Sequence, residues 1–554
     1  MLNISIKLKS DNWGKTINEK GVEFNQNGQV FHNNIPLDRG PFSAKISSIK
    51  ETKDLCNLLK SLNGFYAWIE HSPGSVRAAV DHIRSKPLFY TASNNNFYLS
   101  DDAEWVRRKA RDEIKSPIAK EEFLLSGYVT GPDTLYPNVK QLQAGECLTV
   151  SDSNGSIKVE THRFYRFLHS EPIRYKEPLL REQLNQAAAI SIKNLIKYAN
   201  GRQIVLPLSG GYDSRILALL LKKFGYENIL TFTYGVPGNS ETKTSKMVAD
   251  SLGMQWRFVE YTNTAMAKDW SSSDAKAYRE LSSNHCSLPH VQDYFAVKKL
   301  IENEQIARDA VVVPGHTGDF ISGGHIPPIV FSGKQFQNKD LINTIIGIHY
   351  ANKPNRSLRA FDKASLSKRI KNRINIPFDG TAICFANSVE VWNWQERQAK
   401  YIVNSVRVYD HFKLDWWLPM WDAEFIRFWE NVPLSLRESR KWFIDWVDGQ
   451  CREEGIKTFS LNEVKTASNL NKLKKLLKPF FEQLPVPLTN KLSKAMRWAE
   501  CRFLNKGFEG HFLAFEGLIP KSKLDKYFIL GYNILGVYSD LFLKGKWEKI
   551  EGWK

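Results

Sequence analysis

The run Ile204-Val-Leu-Pro-Leu-Ser-Gly-Gly-Tyr-Asp-Ser-Arg-Ile-Leu-Ala-Leu-Leu-Leu221 constrains this chain more than any other stretch. The apolar segment Ile204 to Leu208 predicts a buried strand. Ser209 to Ser214 predicts a tight turn, and Arg215 to Phe224 a helix that Gly225 closes. A strand, a glycine turn and a helix N-terminus together make an anion site. Unpaired backbone N–H groups and the positive end of the helix dipole converge there, and the glycines let a phosphate come close. Leu208, Ser209, Gly210 and Gly211 offer backbone, Ser209 and Ser214 offer hydroxyls, and Asp213 offers a carboxylate able to hold magnesium. Gly-Gly pairs are common in loops, but Ser-Gly-Gly-x-Asp-Ser after a strand is far more restrictive.

The surroundings repeat the pattern. Glu177 to Tyr198 reads as a long helix, with Pro178 tolerated in its first turn. A second strand and loop follow at Ile229 to Gly235, then a helix over Ser240 to Leu252 and a third strand near Trp256 to Glu260. Strands alternating with helices at this spacing predict a parallel sheet covered on both faces, with ligands beyond the carboxyl ends of its strands. A second apolar strand runs into a glycine-rich loop at Ala310-Val-Val-Val-Pro-Gly-His-Thr-Gly-Asp-Phe-Ile-Ser-Gly-Gly-His325.

The first loop resembles the PP-loop of ATP pyrophosphatases, and it lacks the Gly-Lys-Ser/Thr ending of a Walker loop. The second resembles the pyrophosphate loop of the asparagine synthetase family, with Gly315, Gly318, Asp319, Gly323 and Gly324 on matching positions. The resemblance implies ATP and Mg2+ as cofactors, with Asp213 and Asp319 sharing the metal. It also implies an adenosine pocket lined by Thr233, Tyr234 and Gly235. His316 stands where the family has a glutamate and Phe320 where it has an acid. A histidine accepts a proton near neutral pH, so His316 is both a candidate catalytic residue and a candidate packed loop residue. Leu418-Pro-Met-Trp-Asp422 and Val432-Pro433 match later family segments. The family's lysine at the α-phosphate falls on either Lys457 or Lys465, and Lys465 is preferred. The tryptophans between Trp392 and Trp429, at helical spacing, are expected to be core.

Residues 1–165 carry short alternating runs separated by Asn/Gly turns. Strands are expected within Leu59 to Ile69, Arg77 to Val80, Ser85 to Tyr90, Phe97 to Ser100 and Gly145 to Thr149. This succession resembles the N-terminal glutaminase domain of asparagine synthetase. Asn63-Gly-Phe-Tyr-Ala, Asp81 to Tyr90 (with Arg84 where glycine is usual) and Gly131 to Leu135 carry the likeness. The family's glutamine chemistry uses a cysteine at position 2, whose α-amine acts as base for its own thiol. This sequence has Leu2, and the family's Asn-Gly-Glu motif is missing near the start. The expectation is a degenerate amidotransferase domain that releases no ammonia.

The fold expected is α/β plus α+β. An N-terminal antiparallel β-sandwich of Ntn-hydrolase type (1–165) precedes a parallel-sheet PP-loop, adenine nucleotide α-hydrolase-like domain (170–480) and a helical extension (481–554). The function expected is an ATP-dependent amide-forming ligase that adenylates a carboxylate (an amino acid, sugar acid or peptide), releases pyrophosphate and passes the acyl group to ammonia or an amine. A separate ammonia source would replace the missing glutaminase. The resemblance leaves open the amidation of sugar acids in surface polysaccharides, towards which Glu396-Arg-Gln and Arg407-Val-Tyr lean, and amide closure within one substrate, as in β-lactam synthetases and lasso-peptide cyclases. A tRNA-modifying PP-loop enzyme and an inactive scaffold are the remaining readings.

Composition narrows these classes only in part. The net charge of +18 would suit nucleic acid, an anionic membrane surface or anionic substrates, but no RNA-binding signature with interleaved aromatics accompanies it. Lys472-Leu-Lys-Lys-Leu-Leu-Lys478 reads as a basic amphipathic helix, a solvated face or a peripheral membrane contact. Six scattered cysteines without a CxxC pair fit reduced thiols and a cytoplasmic location. The segment Met1 to Lys7 lacks the shape of a signal peptide, which agrees with that location.

Overall fold

The structure is a computed structural model and describes residues 3–93, 95–153, 156–353, 360–456, 486–503 and 519–546. Its first part is built from β1 (Asn3–Lys7), β2 (Trp13–Ile17), β3 (Glu23–His32), β4 (Ile35–Leu37), β5 (Leu62–Ser72), β6 (Ser75–Val80), β7 (Phe89–Ser93), β8 (Asn96–Ser100), β9 (Lys140–Gln141), β10 (Glu146–Ser153) and β11 (Ser156–Arg163). One sheet runs β1-β8-β7-β9 and the other β11-β10-β6-β5-β3-β2, with β4 on β3. Pairing is antiparallel throughout except between β1 and β8. Alternation along the strands decides the packing. Ile69, Ala78 and Leu148 of the larger sheet meet Phe97 and Leu99 of the smaller, and Leu88 from the loop before β7 joins them. On the opposite face, Phe42, Ile46, Leu55 and Leu59 of helices Arg39–Ser48 and Thr52–Ser61 pack against Tyr66 and Trp68.

Two strand starts differ from the sequence reading. The helix Thr52–Ser61 runs on to Ser61 because Leu55 and Leu59, four residues apart, share its buried face. Ser85 to Leu88 is loop because the Asp81 carboxylate accepts backbone N–H groups from Tyr66 (2.9 Å), Ile83 (2.9 Å) and Ser85 (3.2 Å). Arg84 sits in that loop at φ 56, a left-handed position that favours glycine.

The second part begins with the helix Glu177–Ala199. It continues through β12 (Ile204–Pro207), the helix Tyr212–Lys223, β13 (Ile229–Gly235), the helix Ser240–Leu252, β14 (Gln255–Glu260), β15 (Val311–Val312) and β16 (Asp415–Trp416). The sheet order is β14-β13-β12-β15-β16, all parallel. The chain leaves β12 towards β13 on one side and returns at β15 on the other, so the crevice between β12 and β15 is the topological switch point where such sheets bind ligands.

Beyond the sheet the helix Ala382–Trp392 passes into a π-helix, Asn393–Ile402, followed by a 3-10 turn, Val403–Val406, and the helix Arg407–His411. Trp392, Trp394, Trp417, Trp421 and Trp429 are fully buried, as their spacing predicts. The two parts share polar anchors. The Asp422 carboxylate accepts from Asn63 Nδ2 (2.8 Å) and Asn194 Nδ2 (2.9 Å). Lys400 and Glu396, both buried, pair at 2.5 Å, and Lys400 also donates to the Val129 (2.9 Å) and Gly131 (2.6 Å) carbonyls. The helices Val486–Phe503, Lys521–Leu530 and Ile534–Leu543 close the described chain. No helix among the described residues is long and apolar enough to cross a membrane. Leu2 and the basic run from Lys472 to Lys478 lie outside the described residues.

Candidate functional site

The two glycine loops meet at the switch point. Leu208 is buried and extends the sheet, its N–H donating to the Phe232 carbonyl at 2.8 Å. Ser209 N–H donates to Ser214 Oγ at 3.1 Å and Gly211 N–H to Ser209 Oγ at 3.1 Å, which closes the turn on its own hydroxyls. The helix starts at Tyr212, earlier than the apolar spacing indicated, so Asp213 and Ser214 occupy its first turn, where negative charge is stabilised. Arg215, behind the loop, donates from Nη2 to the Gly210 carbonyl at 3.1 Å.

The second loop packs against this turn at backbone distance. A Cβ on Gly315 would lie 3.0 Å from Ser214 N, and one on Gly318 only 2.6 Å from Asp213 Oδ1. Asp319 N–H accordingly donates to Asp213 Oδ2 at 3.1 Å, which sets the two carboxylates side by side. Asp319 Oδ2 accepts from His325 Nε2 at 2.9 Å, and Oδ1 accepts the Phe320 N–H at 2.8 Å. The His325 tautomer follows from its other partner, since Asn393 Nδ2 donates to His325 Nδ1 at 2.7 Å. Gln398 Nε2 donates to Asn393 Oδ1 at 3.1 Å, and Thr317 Oγ1 to Gln398 Oε1 at 2.6 Å. The π-helix thus holds the loop from one side, and such helices recur at functional sites.

Arg440 holds it from the other. Its Nη2 pairs with Asp213 Oδ1, and its Nε donates to Ser322 Oγ at 2.9 Å. Arg440 and Ser439 sit at φ 62 and φ 52, two successive side-chain-bearing residues in the left-handed region, a conformation that clusters at ligand clamps and switches. Beneath the loop, Arg437 and Glu390 form a fully buried pair, and Arg437 Nη2 donates to the Ile321 carbonyl at 3.2 Å.

Burial pushes the Asp213 carboxyl up to about 6; Arg440 opposes this and the Asp319 charge reinforces it. Burial also raises Asp319, but the His325 hydrogen bond, with the Arg440 and Arg397 charges, holds it below the usual carboxylate range. Of the pair, Asp319 stays ionised and Asp213 takes a proton first. Burial lowers His316 against the pull of Asp293 and Asp319, so its ring is neutral at physiological pH. Its ring lies against Ser405 Oγ, 3.4 Å from Nδ1. Desolvation lowers half-buried His290 to about 4, with Asp293 opposing and His316 adding to the fall.

On the adenosine side, Thr233 is buried at the end of β13, and Gly235 closes the strand at φ 133. Tyr234 stacks on Tyr261 with ring centroids 4.9 Å apart and donates to Asp293 Oδ1 at 2.7 Å, while Tyr409 donates to Asp293 Oδ2 at 2.7 Å. Lys457 and Lys465 lie outside the described residues.

The arrangement suits magnesium. Among the described residues no three His, Cys, Asp or Glu side chains are grouped to hold a metal. Magnesium bound with a nucleotide takes one or two carboxylates and completes its shell with phosphates and water, so the paired Asp213 and Asp319 match its donor set. Sequence reading missed Arg440, His325 and Asn393, and met Gln398 only within Glu396-Arg-Gln. His325 lay at the end of the quoted motif, whereas Arg440 reads locally as an ordinary charged helix start.

Residues 199–443 match the asparagine synthase family model, and residues 53–165 match the glutamine amidotransferase domain model. The chain is therefore similar to the asparagine synthase family over residues 199–443 and to glutamine amidotransferase domains over residues 53–165. Asparagine synthetase [glutamine-hydrolyzing] 1 of Bacillus subtilis (strain 168) is 24% identical over 205 residues, which covers 37% of this chain and 31% of that protein. The match therefore spans about a third of the curated relative's length. Two solved structures are also similar. The NH3-dependent NAD synthetase from Campylobacter jejuni is 12% identical, covering 37% of this chain and 98% of that one at a TM-score of 0.20. The glutamine phosphoribosylpyrophosphate amidotransferase from B. subtilis is 12% identical, covering 55% of this chain and 63% of that one at a TM-score of 0.19. At these scores neither structure bears on fold or function. The asparagine synthase match encloses both glycine loops, the π-helix and Arg440.

Proposed function

We propose that the chain is an ATP-dependent amide-forming ligase that adenylates a carboxylate and releases pyrophosphate. The observation that carries this reading is the meeting of the two loops, Asp319 N–H on Asp213 Oδ2 at 3.1 Å at the first turn of the helix Tyr212–Lys223. In this reading Ser209, Gly210, Gly211 and Ser214 cradle the phosphates of ATP, Gly315 and Gly318 keep the second loop close, and Thr233 to Gly235 flank the adenosine. Magnesium held by Asp213 and Asp319 would neutralise the phosphate oxygens. A carboxylate oxygen of the acceptor attacks the α-phosphorus and pyrophosphate leaves. Ammonia or an amine then attacks the acyl carbon, AMP leaves, and the spent proton passes to a base. Neutral, half-buried His316 would take that last role, and Lys465 or Lys457 would offset charge at the α-phosphate.

The N-terminal part is read as an amidotransferase-like domain of Ntn type without its own nitrogen supply, so ammonia comes from solution or a separate source, or the amine belongs to the substrate. Sugar acids, amino acids and peptides are all admissible acceptors, and closure within one molecule is the second form of the same chemistry. The proposed units are 1–165, 170–480 and 481–554. ATP–pyrophosphate exchange across amino acids, uronic acids and peptides tests the reading. Exchange with at least one acid, abolished by Asp213→Asn and Asp319→Asn, is expected. Folded protein that exchanges with none refutes it. Glutamine hydrolysis by the purified chain would overturn the reading of the N-terminal part.

A further inference from the structure

A cavity of about 140 Å³ opens at the seam between the two parts, and none of its lining residues belongs to either glycine loop. Leu59, Leu62 and Phe164 wall it from the N-terminal part, and Ile426 of the helix Ala423–Glu430 closes it from the second. All four are buried. An apolar cavity of about 150 Å³ takes a benzene molecule, so this space suits a ligand of about six to eight heavy atoms and excludes a nucleotide. Its wall reaches towards the second glycine loop. His82, which lines it, donates from Nε2 to the Trp421 carbonyl at 2.8 Å, and the Trp421 ring stands 5.9 Å from that of Phe320, the neighbour of Asp319.

The polar groups of the lining are short of donors. Burial lowers His82, so its ring is neutral, and the proton that Nε2 gives to the carbonyl leaves Nδ1 as an acceptor. Neither His82 Nδ1 nor the Tyr66 hydroxyl makes a hydrogen bond among the described residues, although His82 is 8% exposed and Tyr66 2%. Buried polar groups ordinarily find partners, and both of these line the cavity. Glu430 lines it too. The Tyr165 hydroxyl at 2.7 Å and the Leu168 N–H donate to its carboxyl, which has roughly four lone-pair sites to fill. The cations nearby are committed or in water. Arg427 pairs with Glu424 and donates to the Lys60 carbonyl at 3.4 Å, and the Lys60 side chain is exposed. Aromatic rings at Tyr66, Phe164 and Tyr165 complete a lining of the kind that attracts cations.

We propose that this cavity is a binding site for a small primary amine. Glu430, His82 Nδ1 and the Tyr66 hydroxyl take the ammonium group, and Leu59, Leu62, Phe164 and Ile426 enclose the apolar body. An ammonium brings three donors and no acceptor, which is the complement of that lining. The site goes beyond the ligase reading and stands without it, since it uses neither ATP nor magnesium. Binding is linked to pH. Burial pushes Glu430 up to about 7, so its ion pair with the ammonium forms in full only above that pH, while a primary ammonium keeps its proton. Tyr165, the Leu168 N–H, Arg427 and Lys60 face Glu430 and His82 shares the cavity, so the pH dependence is assigned with Glu430→Gln.

Calorimetric titration of the full chain with benzylamine tests the assignment, with benzyl alcohol and phenylacetate as neutral and anionic counterparts. Benzylamine is expected to bind at pH 8 at least about tenfold more tightly than either counterpart. Its affinity should fall about tenfold between pH 8 and pH 6 as Glu430 takes up a proton. Glu430→Gln should remove both the preference and the pH dependence. Ala423→Leu, which enlarges a side chain on the wall, should abolish amine binding, with near-ultraviolet circular dichroism confirming the fold. If Ala423→Leu does not fold, Glu430→Gln carries the comparison alone. No saturable benzylamine binding at pH 8, a counterpart that binds as tightly, or equal benzylamine affinity in either folded variant overturns the proposal.

Discussion

Replacing Arg440 by glutamine tests how the site manages two adjacent carboxylates. In the native arrangement Asp213 and Arg440 are paired with side chains 20% and 18% exposed, so the pair is mostly shielded from water. Holding a carboxyl that normally titrates at 3.8 up at about 6 means that its ionisation at pH 8 costs the folded state about 3 kcal/mol, at 1.36 kcal/mol per pH unit. Arg440 already limits that cost. At an effective dielectric of about 20 and a separation of about 4 Å its gross attraction is about 4 kcal/mol. Rehydration of a partly open site brings the net loss on removing it down to about 1–3 kcal/mol.

The pH dependence carries the sign. Asp213 has a folded pKa above its unfolded value, so its contribution to stability is present in full below 3.8 and is lost as the pH rises through about 6. Without Arg440 the folded pKa rises further, so the loss, which still begins near 3.8, continues to higher pH. Thermal melts of Arg440→Gln against the natural protein should therefore differ by roughly 2–5 °C at pH 8 and by under about 1 °C at pH 5, where Asp213 is largely protonated in both. Arg440→Lys, which keeps the charge and loses the fork, should recover most of the difference at pH 8. A gap of equal size at pH 5 and pH 8 would refute the argument, because Arg440 would then act through packing rather than by compensating Asp213.

Other perturbations read other parts of the structure. Gly318→Ala places a methyl 2.6 Å from Asp213 Oδ1, so it should displace the carboxylate and lower ATP–pyrophosphate exchange at least tenfold, with a stability cost of about 1–3 kcal/mol in denaturant titrations. Arg437→Leu strands the buried Glu390 carboxylate and should cost about 3–5 kcal/mol by the same titrations, and adding Glu390→Leu should recover most of it. Burial pushes Glu430 up to about 7 while its Oε1 accepts from Tyr165 at 2.7 Å. Its stabilising contribution is complete below about 4.5 and lost as pH rises through about 7, so Glu430→Gln, which keeps an acceptor for Tyr165, should raise the melting temperature at pH 8 and leave it unchanged at pH 5.

What could be read from the sequence was what a local pattern records. A strand, a glycine turn and an apolar helical stripe are contiguous, so β12, the Ser209 to Ser214 turn and the following helix were legible, as was β13 with its helix. The buried tryptophans were legible for the same reason. The helix start at Tyr212 was missed because the first turn of a helix needs no apolar stripe; Gly211 supplies an extended cap and the acidic Asp213 suits the dipole. The strand boundary at Phe89 was missed because the Asp81 carboxylate, rather than any turn residue, organises that loop.

Charge compensation leaves no such local trace. Arg440 meets Asp213 across 227 residues, and Asn393 meets His325 across 68, and neither spacing is a motif. Lys400 and Glu396 show the same physics at short range: they stand four residues apart, but it is folding that buries both and aims Lys400 at the Val129 and Gly131 carbonyls, which no local pattern records.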